Sequence, residues 1–404
     1  MEISEAIVHG PLVLLTGAGA SVPLGKLTTE GFVKHLFDVA GTYKAQDERA
    51  SQILRDAIGR AIGEGLDVED VLAALEKRTL SLQLLEEDAE LQRLLPCDRS
   101  RAAMLREWID EARNFIYDQV IEHYSAIDAA GAADLYKILL VHLDPWLGPI
   151  LGRAVRTLPF FTLNYDRAVE VACSTLGVRC VDGITDVAGK TERRWVRTVF
   201  GQYEEREDVR SVVLVKLHGS VRLGRRPMAV HGLADAELVE LPEEIHRDPK
   251  PYTHAVIYPS RLPKDLTSEP FYTHYRVFNA CLQHARLLLV IGCSMRDPDV
   301  QIAVRTAVED NPQLRILVVD PHADHDELAS RLHIPAERIA VERRHFDIEP
   351  SAERGMSSFM GMVRGYLAAA LEIEPGFPFV FGRTNEAAAS PVALAQAAVV
   401  GGPP

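Results

Sequence analysis

The sequence predicts an α/β protein: an open parallel sheet with helices on both faces, interrupted by an all-helical insertion. Three observations predict it. Five short apolar runs rich in Val, Ile, Leu and Phe show no polar alternation, as expected of strands covered on both faces. Helical patterns lie between several of them, which is the alternation of an α/β sheet. Between the first and second runs, residues 42–150 carry helical periodicity and almost no strand signal.

The first strand, Leu12–Thr16, leads into the small-residue turn "GAGAS" and an amphipathic helix over Thr29–Ala40 that stops before Gly41. The insertion follows, with segments such as "DVEDVLAALEKRTLSLQLL" and "LREWIDEARNFIYDQVIEHY". The second strand, Phe160–Leu163, precedes a helix over Asp166–Leu176. The third, Val212–Leu217, is followed by residues 222–252, which read as mixed loop with Pro227, Pro242, Pro249 and Pro251. The fourth, Leu287–Ile291, precedes a helix over Pro298–Glu309, with Asp297 as N-cap and Pro298 at its first position. The fifth, Ile316–Val319, precedes a helix over Asp324–Leu332. The expected organisation is a sheet domain over 1–41 and 151–350, the insertion over 42–150, a C-terminal helix over 351–380 and a flexible, low-complexity tail over 381–404.

The chain has 404 residues and a formal net charge of -14. So acidic a chain repels nucleic acid and anionic membrane on average. No sequence-specific nucleic-acid binding and no membrane association are expected; Arg222, Arg225 and Arg226 are the place for a local basic patch. Five cysteines, an odd number without C-x-x-C spacing, argue for reduced thiols in a cytoplasmic protein and against a four-cysteine zinc site. No signal peptide and no apolar run long enough to span a membrane is seen.

The turn after the first strand raises the functional question. A strand ending in Gly17-Ala18-Gly19-Ala20-Ser21 before a helix N-terminus is suited to an anion such as pyrophosphate. It is not G-x-G-x-x-G, because Val22 stands where the third glycine would be. Nor is it a P-loop, because Gly25-Lys26 is followed by Leu27. A tight structural turn is the competing reading. The next strand ends add Asn164 and Asp166 in "TLNYD" and His218 in "KLHGS". Gly292, Cys293, Ser294 and Asp297 follow in "GCSMRD", and Asp320 in "VVDP". Ligands of open α/β sheets bind outside the carboxyl ends of the strands, so these residues can converge. Singly, Asn164 and Asp166 also read as helix caps and His218 as a buried strand-edge histidine.

Taken together, G-A-G-x-S, T-x-N-x-D, H-G and G-x-S, in this order and at strand ends, resemble the sirtuin superfamily from about residue 10 to 350. The resemblance implies a Rossmann-like sheet with NAD+ as a consumed substrate. It implies that Gly17, Ala18, Gly19 and Ser21 cradle the pyrophosphate and neighbouring ribose, and that Asn164 orients an attacking water. Asp166 supports the nicotinamide end, and His218 accepts a proton from a ribose hydroxyl as general base. Gly292 and Ser294 lie on the adenosine side, with Asp320 toward the adenine ribose.

The chain departs from the protein-deacylating sirtuins. It lacks their paired C-x-x-C zinc ligands, has Leu163 where they carry Gln, and shows "SVRLGRRP" in place of a clear acyl-lysine peptide segment. It is more similar to the zinc-less sirtuin-like NADases of bacterial anti-phage defence, and most to the compact subunit that partners a HerA-type hexameric ATPase. That likeness implies NAD+ glycohydrolysis without a metal, in a homo-oligomer. A zinc-less NAD-dependent deacylase and a non-catalytic NAD or ADP-ribose-binding regulator are the alternatives.

Overall fold

The computed structural model describes residues 2–41, 43, 48–66, 68–87, 99–142, 156–186, 192–206, 209–226, 237–241, 253–256, 266–346 and 352–372. The expected tail over 381–404, the prolines at 227, 242, 249 and 251, and Cys97 lie outside them. The first half runs α1 (Glu5–Val8), β1 (Leu12–Thr16), α2 (Thr29–Ala40), α3 (Glu48–Glu64), α4 (Val68–Glu87), α5 (Arg99–Ser125), α6 (Ala129–Leu140), β2 (Thr157–Thr162), α7 (Ala168–Leu176) and β3 (Arg179–Val181). Then come β4 (Ile184–Thr185), β5 (Arg194–Trp195), β6 (Ser211–Lys216), β7 (Gly219–Arg226), β8 (Glu237–Glu240) and β9 (Thr253–Val256). The chain continues with α8 (Phe271–His284), β10 (Leu287–Ile291), α9 (Pro298–Asp310), β11 (Arg315–Val319), α10 (His325–Leu332), β12 (Ile339–Glu342) and α11 (Ala352–Glu372).

Seven strands form one parallel sheet in the order β12-β11-β10-β1-β2-β6-β3. β1 is central, with Leu14 level with Leu289 of β10 and Phe160 of β2. Successive side chains of a strand face opposite ways. Val13, Leu15, Phe161, Val213, Val215, Leu288 and Val290 therefore enter one core, with Phe278 of α8 and Val304 of α9. Leu12, Leu14, Phe160, Val212, Leu214 and Leu289 enter the other, with Tyr136 of α6, Val169 of α7 and Val363 of α11. Burial on both faces explains why these strands read as unbroken apolar runs. This is the predicted Rossmann-like α/β architecture. β3 and β12 were not predicted, being short, edge-placed and partly exposed.

The helical module has a core of its own. Phe32 and Leu36 of α2 join Leu54 and Ile58 of α3, Leu72 of α4 and Ile116 of α5. By packing, α2 thus sits with the insertion, and α6 sits with the sheet.

A second sheet, antiparallel and ordered β4-β5-β8-β7-β9, was not predicted; β8 and most of β7 fall in the stretch 222–252 read as mixed loop. Its strands hide from pattern reading because their charged residues pair across the sheet. Arg222 bonds Glu240 and Asp182, and Arg226 bonds Glu192 and Glu237. Arg225 bonds Ser268 and lies over the Phe271 ring. The expected basic patch is therefore corrected: these arginines are held by carboxylates, a hydroxyl and a ring. No described helix is long and apolar enough to cross a membrane.

Candidate functional site

β1 leads to β2 and β6 on one side, and β10 begins the run to β11 and β12 on the other. The crevice between such diverging strands is where open α/β sheets place ligands. Here two glycine turns meet. Gly17 N–H donates to Ile291 (3.0 Å) and Gly19 N–H to the Gly292 carbonyl (2.9 Å). Gly292 has φ 58°, and a Cβ there would lie 2.3 Å from the Ala20 nitrogen. A Cβ on Gly17 would lie 2.7 Å from the Gly292 oxygen. The glycines are thus required first by the contact between the two turns. Their amides, and that of Ala20 on Gly17 O (2.9 Å), are engaged by the protein's own carbonyls. Beyond Gly17 the chain runs as a 3-10 turn over Ala18–Leu24, not directly into an α-helix, with Ala18 half-buried in it.

Asn164 leaves the end of β2 and reaches back across β1. Its Nδ2 donates to Gly17 O (2.9 Å) and to Ser21 Oγ (3.0 Å). Both amide hydrogens are engaged, so Oδ1 is the atom this side chain can offer to a water or ligand hydroxyl. Ser21 is 1% exposed and is the side chain that fixes Asn164.

Asp166 is also buried, with Oδ1 accepting the Ala168 amide (2.9 Å) at the start of α7. Burial pushes its carboxyl above the usual carboxylate range, opposed by the Lys216 ammonium. Lys216 itself is buried. Its Nζ lies 3.2 Å from Glu170 Oε1 and donates to the carbonyls of Asp166 and Asn164, the latter at 3.5 Å. One ammonium therefore pins the whole 164–166 strap from beneath.

His218 follows β6, and its ring is 2% exposed. The next residue, Gly219, has φ 86°, and a Cβ there would lie 2.0 Å from Ala255 O, so only glycine lets β7 turn back beside β9. His218 Nε2 lies 2.8 Å from Asp297 Oδ2, and the Tyr165 ring stands 6.4 Å away, centroid to centroid. Asp297 caps α9 as the sequence predicts.

Gly292, Ser294 and Asp320 sit at the ends of β10 and β11. Ser294 is exposed and its carbonyl accepts from Arg331 (2.5 Å); Asp320 Oδ1 accepts the His322 amide (2.8 Å). Between them Met295 is fully buried at φ 52°, a left-handed conformation that costs a side-chain-bearing residue energy and holds the turn in shape.

The helical module is fastened to the first turn. Lys26 Nζ donates to His123 O (2.5 Å) and to Ala126 O, Leu27 N–H donates to His123 Nε2 (3.0 Å), and Tyr124 Oη donates to Leu27 O (2.8 Å). Burial, with help from Lys26 and His35, pushes His123 down to about 4. It is a neutral acceptor at pH 7.

The structure thus joins the first turn to Asn164 directly and places His218 against Asp297. Pattern reading missed the contacts of Lys216, Glu170 and Lys26, and placed Asp297 as a cap and among the strand-end residues without its contact to His218. A lysine inside an apolar strand was the available signal, because a buried ammonium demands a partner. Among the described residues, no group of three or more His, Cys, Asp or Glu side chains is placed to hold a metal.

Residues 159–340 match the family described as SIR2-like domain. Among curated proteins no match is found. Solved structures similar to the chain include a Sir2 homologue triple mutant with 2'-O-acetyl ADP ribose, at 14% identity and TM-score 0.36, covering 92% of this chain and 96% of that one. A Sir2 homolog–NAD complex is similar at 12% identity and TM-score 0.35, covering 90% and 93%. A Sir2 homologue mutant with ADP ribose is similar at 13% identity and TM-score 0.36, covering 92% and 98%.

Proposed function

We propose that the chain is an NAD+ glycohydrolase that splits NAD+ and water into nicotinamide, ADP-ribose and a proton. The observation that carries the reading is the link from Asn164 to Gly17 and Ser21, which ties the end of β2 to the glycine turn of β1. The SIR2-like domain match over 159–340 supports the substrate class.

The chemistry asks little beyond positioning. The nicotinamide nitrogen of NAD+ is cationic and is already a good leaving group. The bond from it to the anomeric carbon breaks, its electron pair goes to the nicotinamide nitrogen, and a water oxygen bonds to the carbon. Asn164 Oδ1 accepts a hydrogen from that water and aims its lone pair. His218 accepts the proton from a ribose hydroxyl, which is replenished from the attacking water, and passes it to solvent. Gly17, Ala18, Gly19 and Ser21 set the floor of the phosphate and ribose end, Asp166 the nicotinamide end. Gly292, Ser294 and Asp320 line the adenosine side. The setting proposed is depletion of NAD+ in abortive anti-phage defence, by a cytoplasmic homo-oligomer controlled by a HerA-type ATPase.

The test is nicotinamide release from NAD+, with and without an acetyl-lysine peptide. The expected result is peptide-independent release that vanishes in Asn164→Ala and falls roughly 10²–10⁴-fold in His218→Ala. Release that requires the peptide would assign the chain to the deacylases instead. Binding of NAD+ without release would make it a regulator.

A further inference from the structure

Asp297 divides its two oxygens between two tasks. Oδ1 accepts the amides of Asp299 (2.9 Å) and Val300 (3.1 Å) and so caps α9. Oδ2 lies 2.8 Å from His218 Nε2, in a contact that leaves the two side chains only 5% and 2% exposed. A cap needs one oxygen, and asparagine or serine supplies it equally well. A carboxylate adds a full charge, which is expensive to bury unless something there uses it. The imidazole of His218, which can become a cation, lies directly beside it.

We propose that Asp297 is the positioning residue of His218, holding the ring by Nε2 so that Nδ1 is presented to the reacting hydroxyl. The inference rests on the reading of His218 as the base. When the ring takes a proton at Nδ1, its new positive charge faces the carboxylate, and the pair as a whole becomes neutral. No bond other than O–H to N–H is exchanged. At 2.8 Å the contact becomes a charged pair once the ring is protonated, and pairs of that kind are the stronger ones. The capping bonds fasten Oδ1 to the first turn of α9, so the orientation of the ring inherits the rigidity of a 13-residue helix. The helix N-terminus also favours a negative charge at this point.

The Tyr165 ring stands 6.4 Å from the His218 ring, centroid to centroid. Burial, and then Asp297 and Asp299, push the Tyr275 phenol well above its ordinary range, so it remains neutral.

Two variants separate the cap from the contact. Asp297→Asn keeps the cap and the shape but removes the charge; Asp297→Ser keeps a cap but is too short to reach His218. Thermal unfolding reads the cap, steady-state nicotinamide release reads kcat and KM, and an NMR titration of the His218 ring reads the contact without any turnover. Both variants are expected to melt close to the parent. Their kcat is expected to fall about 10–10³-fold with KM little changed, and the Asp297→Asn ring to titrate at lower pH than the parent. A kcat within threefold of the parent together with an unchanged ring titration overturns the proposal. If the parent itself releases no nicotinamide, the glycohydrolase reading fails by itself. The ring titration then decides Asp297: a downward shift in Asp297→Asn upholds the contact, and no shift refutes it.

Discussion

Lys216→Met is the perturbation that most directly questions how the site is held. The parent ammonium is buried, with side-chain exposure of 7% on both it and Glu170. Removing it leaves a carboxylate without its cation and takes a donor from the carbonyls of Asn164 and Asp166. Breaking one side of a buried ion pair costs about 3–5 kcal/mol, most of it the stranded charge. Removing both charges, in Lys216→Met with Glu170→Gln, should return the cost of the stranded carboxylate and leave about 1–3 kcal/mol for the carbonyls that lose their donor. Urea unfolding of the four proteins, followed by circular dichroism over a reversible range, closes a double-mutant cycle for the pair. Nicotinamide release by the double variant should remain depressed, since the 164–166 strap has lost its anchor whatever the stability. A single variant costing under about 1 kcal/mol, or a double variant no more stable than the single, would refute the account of Lys216 as an anchor.

Three further outcomes are expected. Burial pushes His274 down to about 4, against an ordinary value near 6.5, and its Nδ1 lies 2.8 Å from the Lys216 carbonyl. The unfolded chain therefore binds the extra proton first, so this stability is full above about pH 6.5 and is lost as pH falls toward 4; denaturation midpoints between pH 7 and 4 should decline, and His274→Asn should flatten the decline. In Gly292→Ala the new methyl meets the Ala20 nitrogen at a φ that disfavours it, so the two turns must part. Calorimetry should show ADP-ribose affinity reduced at least tenfold with the far-UV spectrum retained; unaltered affinity would remove the turn contact from the site. Gly219→Ala places its methyl 2.0 Å from Ala255 O and should cost about 3 kcal/mol or more, seen as insoluble expression or a large fall in the urea midpoint.

The central sheet was legible because each of its main strands is buried on both faces, so Leu12–Thr16 and Leu287–Ile291 matched their observed bounds residue for residue. Helix α9 was legible because Asp297 and Pro298 mark its start chemically. The second sheet was not, because Arg222, Arg226, Glu237 and Glu240 satisfy one another across β7 and β8, so the alternation of their strands is masked by charge. A charged strand and a charged loop look the same until the partner is known. The candidate site was legible as strand ends but not as contacts. That Gly17 serves Gly292 and Asn164 before any ligand, and that Asp297 faces His218, depends on packing between segments more than 70 residues apart. No spacing rule reaches that far.

The fastening of α5 to the first turn has a practical corollary for measurement. The helix has 27 residues, which makes it about 40 Å long. Its final turn is held at the loop after the glycines by His123 and Tyr124. Because α5 packs along its length on α3 and α4, the module turns as one body about that fastening: a rotation of about 5° at the base carries the far end of the helix, near Arg99, through roughly 3–4 Å. A spin label or fluorophore on that distal turn would therefore magnify sub-ångström adjustments at the crevice between the strand ends into displacements that distance spectroscopy resolves. The instrument for watching this site can be mounted far from it, on the exposed Arg99 or Ser100.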